Sequence, residues 1–182
     1  PLFTVSNISV KVINEKNHGT SVFYGDEMHT QANAASITNE ADDTAGWTNS
    51  NFNTFVSSTT AYDDGTHSLK FIGDDDGDYA HINWTTVVGR TYHIECRRAI
   101  YTHEVQKKFI FKVGTSANND ANGSVDSWAH NQVAGSWVTV SFTFVATGTD
   151  THFTINAGGT SANATMYLDK LTVKEVGFAT GW

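Results

Sequence analysis

Three scarcities bound what this chain can be: one cysteine, few basic residues, and no long apolar run. With Cys96 alone, no intrachain disulfide can staple the fold, and the thiol is expected to be a small buried hydrophobe. Lys and Arg total 11 against 19 Asp and Glu, for a net charge of −8. That balance argues against a general nucleic-acid binder, which needs a basic stripe to meet phosphates. No apolar stretch is long enough for a membrane-spanning helix. The opening Pro1-Leu2-Phe3-Thr4 has no basic segment ahead of an apolar one, so no signal peptide is expected. The expectation is a processed product or a piece of a longer protein.

Catalytic signatures are missing too. There is no Gly-x-Ser-x-Gly elbow, the 8 His show no His-x-x-x-His or His-Glu-x-x-His spacing, and no Lys-Ser/Thr follows Gly158-Gly159. The acidic run Asp74-Asp75-Asp76-Gly77-Asp78 lacks the mid-loop glycine and distal glutamate of an EF-hand; it is expected to be a solvated hairpin tip. Two carboxylates such as Glu95 and Glu104 leave glycosidase chemistry open in principle, but the expectation is a protein that is not an enzyme.

What the chain does have is β pattern. Low charge (16%) with abundant Thr, Ser, Asn and Gly suits a turn-rich β protein, and no segment shows amphipathic helical spacing. Strands are expected at Phe3–Ile13, Phe52–Ser58, His67–Ile72, Tyr79–Val87, Thr91–Ile100, Lys107–Val113, Ser136–Ala146, Thr151–Asn156 and Met166–Val176. Alternation is cleanest in Val138, Val140, Phe142 and Phe144, and in Phe109, Phe111 and Val113. Many short strands with one apolar face, and no helices to cover them, predict an all-β antiparallel β-sandwich of jelly-roll topology. Asp64-Gly65, Asp76-Gly77 and Val88-Gly89-Arg90 supply turn residues that tolerate positive φ. Residues 114–135 are expected to be one long polar loop around Trp128.

The segment Met166–Val176 is the most informative of these. Its parity predicts Tyr167, Leu171 and Val173 on the apolar face, and Asp169 with them. An unpaired buried carboxylate is too costly to keep, so Asp169 needs backbone donors, a cationic partner such as Lys70, or a metal ion. Ser6–Ile13 echoes Asp169–Val176 without gaps. The echo predicts four parts: 1–13 as a strand resembling the closing strand of a preceding module, 14–24 as a linker, 25–177 as the main sandwich, and 178–182 as a C-terminal tail or linker.

The landmarks run in a familiar order: Gly46-Trp47, then Asp64-Gly65-Thr66-His67-Ser68-Leu69, Val88-Gly89-Arg90-Thr91-Tyr92, Gly135-Ser136-Trp137, and Tyr167-Leu168-Asp169. This series resembles the jelly-roll carbohydrate-binding modules typified by families 4, 9 and 22, particularly the related modules repeated in tailed-phage virion proteins. The resemblance implies a non-catalytic sandwich, often with one structural calcium ion, whose inward aspartate is matched by Asp169. Where the family has its other acidic ligand, this chain reads Thr30-Gln31-Ala32-Asn33-Ala34-Ala35 and offers no carboxylate. It also implies a polysaccharide or surface glycan as partner, on an extracellular or virion surface protein. One alternative is a structural module that assembles with neighbouring copies; another is the accessory module of a secreted polysaccharide-degrading enzyme.

Sugar recognition needs flat rings that stack on pyranose faces, beside planar polar groups that hold hydroxyls. Trp47, Trp84 and Trp137 have packing explanations, which leaves Trp128 and Tyr101 as candidate platforms with Arg97, His81 and Asn83 as polar candidates. Trp128 has the alternative of capping the sandwich edge. The polar strand positions His81, Asn83, His93, Glu95, Arg97, His152, Thr154 and Asn156 suit either a saccharide-binding face or an ordinary solvated one.

Overall fold

The computed structural model describes residues 21–28, 41, 43–101, 108–128, 133–158 and 164–179. These form β1 (Ser21–Glu27), β2 (Thr48–Ser50), β3 (Thr54–Ser58), β4 (Ser68–Gly73), β5 (Tyr79–Thr85) and β6 (Thr91–Ile100). The chain continues through β7 (Lys108–Gly114), β8 (Gly123–Trp128), β9 (Trp137–Val145), β10 (Asp150–Gly158) and β11 (Ala164–Ala179). All the pairings are antiparallel, in two sheets. The six-stranded sheet runs β3-β4-β11-β6-β9, with β1 on the far end of β11; the five-stranded sheet runs β2-β5-β10-β7-β8. The fold is the expected all-β sandwich.

Period-2 alternation builds the core. Leu69, Phe71, Ile94, Cys96, Val140, Phe142 and Phe144 of one sheet meet Ala80, Ile82, Trp84, Phe109, Phe111, Val113, Phe153 and Ile155 of the other. Burying each of the larger side chains contributes about 1.5–3 kcal/mol. The Trp47 ring lies near Phe55, Phe71 and Phe153 and so bridges the two sheets, which is the packing role expected of it. Cys96 is fully buried, and that burial pushes its thiol pKa well up.

Several local expectations differ from the structure. The predicted loop 114–135 contains β8, whose Ser124, Val125 and Asp126 are all exposed, so this edge strand carries no apolar alternation to read. β1 was missed because Gly25 and two acidic residues interrupt it, and β2 because it is only 3 residues long. Ser21–Tyr24, expected in the linker, pair with β11 instead, as Phe178 and Ala179 of the expected tail do with β1. Gly65 and Gly89 take positive φ as predicted, but Gly77 does not. Its turn is closed by the Asp78 carboxylate, which accepts from the amides of Asp74 and Asp75. The strand expected at Phe3–Ile13, and with it the internal echo, lies outside the described residues.

Parity fails in β11. Lys170 adopts φ 51 and the register with β6 shifts between Asp169 and Thr172, which marks a β-bulge. Before the bulge Met166 and Leu168 belong to the core; after it Leu171 and Val173 do. Tyr167 and Asp169 therefore lie on the outer side of the six-stranded sheet, not on its apolar face. Asp169 is nonetheless 0% exposed, because the loop carrying Asp63 and Asp64 covers it.

Candidate ligand-binding face

The outer side of the five-stranded sheet gathers the richest set of recognition groups. With Ala80, Ile82 and Trp84 turned inward, β5 presents Tyr79, His81 and Asn83 outward. Register lines these up with β10 and β7. One row runs Thr48, His81, Thr154, Lys112, Ser124; the next runs Ser50, Tyr79, Asn156, Ile110, Asp126. Asn83 stands opposite His152. The His81 and His152 rings lie 5.3 Å apart and the Tyr79 and His81 rings 6.1 Å apart, so three flat rings form a band across two strands.

Hydrogen bonds fix one end of that band. Asp150 accepts from Asn83 Nδ2 at 2.9 Å and from His152 Nε2 at 3.1 Å. Because the carboxylate only accepts, His152 carries its proton on Nε2, which in the neutral ring leaves Nδ1 as an acceptor. Nδ1 of His81 and Nδ1 of His152 are buried and have no hydrogen-bond partner among the described residues. Burial holds the His81 pKa below its ordinary value, the neighbouring His152 adds to the depression, and Asp150 opposes it. Other polar groups on this face are committed to turns. Asn156 donates to the carbonyls of Asp76 and Asp78, Thr154 Oγ1 accepts from the Asn118 amide, and Lys108 pairs with Asp126 at 2.7 Å.

Arg97 and Tyr101 do not join this face; both belong to β6 or its end, in the opposite sheet. The guanidinium of Arg97 is committed to internal bonds, donating to both Asp63 carboxylate oxygens, to Thr139 Oγ1 and to the Trp137 carbonyl. Tyr101 is 44% exposed, but its ring packs edge-on to Tyr167 at 5.0 Å and lies directly over Gly135. Trp128 is the last residue of β8 and stands opposite Lys108 on the five-stranded sheet, not within a free loop. The five sequence candidates thus divide: His81, Asn83 and Trp128 lie on one sheet, Arg97 and Tyr101 on the other. Sequence reasoning missed Tyr79 and Asp150, although Tyr79 shares strand parity with His81 and Asn83.

Asp169 resolves into a hydrogen-bonded carboxylate. Oδ2 accepts from the amides of Asp63 (2.7 Å) and Asp64 (3.1 Å), and Oδ1 from that of Lys170 (2.7 Å). Lys70 lies over the Tyr167 ring instead, 5.9 Å from its centroid. Among the described residues, the amide donors turned toward Asp169 do not fit a calcium ion, which needs several convergent oxygens. No group of three or more His, Cys, Asp or Glu is placed to hold a metal among the described residues.

No protein-family model matches the sequence, and no curated protein matches it. Solved structures do match. The CBM22-1 xylan-binding domain from Paenibacillus barcinonensis Xyn10C superposes with TM-score 0.54 at 15% identity, covering 73% of this chain and 87% of that one. The likeness is one of fold. TmCBM61, solved in complex with β-1,4-galactotriose, gives TM-score 0.53 at 13% identity, covering 72% of this chain and 90% of its own. The CBM22-1–CBM22-2 tandem of the same Paenibacillus protein gives TM-score 0.58 at 16% identity, over 83% of this chain and 45% of the tandem. The chain thus has the jelly-roll sandwich of carbohydrate-binding modules.

Proposed function

We propose that this module binds a glycan chain, without cleaving it, along the outer face of the five-stranded sheet. The observation that carries this reading is the band of Tyr79, His81 and His152 rings beside the Asn83–Asp150 network. Flat rings stack on the C–H faces of sugars, while the exposed Asn83 amide and the half-exposed Asp150 carboxylate hold hydroxyls. A sheet face also presents these groups at strand spacing, about 4.8 Å, so successive strands meet successive parts of an extended chain. Trp128 is the β8 residue in register with Lys108 on the same sheet. Among the described residues, each carboxylate on the face has an internal partner, Asp126 with Lys108 and Asp150 with Asn83 and His152, and no free pair flanks a glycosidic bond there.

Similar folds in proteins named as xylan-binding and as a galactotriose complex support a polysaccharide as the ligand class. A module of this kind works on an extracellular or virion surface, or beside a polysaccharide-degrading domain; a similar structure joins a CBM22-1 module to a GH10 module. The test is affinity electrophoresis and a glycan array that include xylan and β-1,4-galactan. Retardation that disappears in Tyr79→Ala and His152→Ala but persists in Arg97→Ala supports the reading. A folded protein that binds no glycan rules it out and leaves the assembly role.

A further inference from the structure

The resemblance assigns a calcium ion to the Asp169 corner, yet the carboxylates gathered there already meet donors and cations from within the chain. The amides of Asp63, Asp64 and Lys170 occupy the Asp169 oxygens. The two side chains that extend from the covering loop meet an ammonium: Lys170 Nζ lies 3.1 Å from Asp63 Oδ2 and 3.5 Å from Asp64 Oδ2. Arg97 donates to both Asp63 oxygens, from Nε to Oδ2 at 3.1 Å and from Nη2 to Oδ1 at 3.3 Å. The backbone is shaped to deliver that ammonium. At φ 51, Lys170 is the bulged residue of β11, and the bulge turns its side chain to the outer side, toward the loop. A non-glycine residue in this conformation is costly, so it persists only where the surroundings repay it.

We infer that Lys170 is the built-in cation of this module: its ammonium, with Arg97 beside it, supplies the positive charge that holds the Asp63–Asp64 loop onto β11, and the fold needs no divalent ion at this corner. A bulge that elsewhere re-aims a strand here carries the counter-charge itself. The arrangement makes the corner independent of calcium supply, and it ties β6, β11 and the β3–β4 loop through one carboxylate, Asp63.

The test uses the full chain, first stripped with EDTA and then supplied with millimolar calcium. Thermal unfolding is followed in both states and at low and high ionic strength, and calcium titration calorimetry is run alongside. The expected result is an unchanged Tm on adding calcium and no saturable heat. Lys170→Asn, which tolerates positive φ but carries no charge, is expected to lower Tm by about 2–4 °C at low salt. Its deficit should shrink at high salt, where screening weakens the wild-type pair, and Lys170→Arg should restore it. A calcium-dependent rise of the wild-type Tm, or one calcium bound at saturation, would overturn the inference. So would a Lys170→Asn deficit that is the same at both salt concentrations, because that would assign the effect to the bulge backbone and not to the charge.

Discussion

The two outer faces of the sandwich are built from similar residues and differ in how much of their bonding capacity is already used. On the six-stranded sheet, Arg97, Lys170, Asp63 and Asp169 are tied to one another and to backbone amides, and a loop covers them. On the five-stranded sheet, His81 and His152 keep imidazole nitrogens without partners, and Tyr79 and Asn83 face outward. A polar group bonded inside the chain contributes to stability and has little left for a ligand; a buried one without a partner costs the fold stability and gains a partner only where a ligand or a side-chain movement reaches it. Residue type alone does not distinguish the two. Arg97 and His81 are equally plausible sugar contacts in a list of polar strand residues, and only their partners separate them.

The largest effect should come from breaking the committed face at its centre. Asp169→Ala removes a buried acceptor shared by three part-buried backbone donors and frees the loop that covers it. The expected loss is about 3 kcal/mol, read from urea unfolding, with glycan binding by the remaining folded protein unchanged. Asp169→Asn should lose less, since its amide oxygen still accepts. The converse experiment sharpens the contrast. His152→Ala should weaken glycan binding about tenfold or more; its side chain is 16% exposed, so a stability loss of about 1 kcal/mol is expected, well below that of Asp169→Ala. Equal losses of stability and binding in both variants would erase the distinction between the faces.

How far the sequence reveals these faces depends on where each signal sits. The alternation of Tyr92, Ile94 and Cys96, or of Val140, Phe142 and Phe144, is dictated by burial of one strand side, so β6 and β9 were legible almost to the residue. β8 lies at a sheet edge, and its Ser124, Val125 and Asp126 are all exposed, so no burial-driven alternation marks it as a strand. Asp169 was legible as a carboxylate that needs partners, but the identity of those partners was not. Two of the three amides come from a loop more than 100 residues earlier in the chain, and the bulge at Lys170 reverses the parity on which its direction was read. The split of Arg97 and Tyr101 from His81 and Asn83 depends on strand order, which local pattern does not encode.

Acid separates the faces further. Burial of Asp63 would raise its pKa, but the hydrogen bonds and charges of Arg97 and Lys170 outweigh that and hold it below the ordinary carboxylate value. A depressed folded pKa means that the stabilisation is complete above the unfolded value, about 4, and is lost as pH falls through the folded one. Asp63→Asn should therefore cost about 1 kcal/mol at neutral pH and nothing extra at the acid end, where the wild-type curve descends to meet it. Parallel curves at all pH values would show that Asp63 acts by packing and not by charge.

The smallest effect belongs to His81, and it sits at a different pH. Its folded pKa is depressed by burial and by His152, so the unfolded chain takes up the proton first as pH falls. The neutral ring thus favours the fold above the unfolded value, about 6.5, and that contribution drains as pH drops through the lower folded pKa. Wild type should lose a little stability between neutral and mildly acidic pH, and His81→Gln should flatten that part of the curve while leaving the Asp63 limb untouched. On the proposed binding face the same protonation turns an acceptor into a donor beside a second imidazole, so glycan affinity should follow the His81 titration, read from the NMR shift of its ring proton. If affinity is flat across that titration, the His81 imidazole is not a contact, and the face would have to bind through Tyr79 and His152 alone.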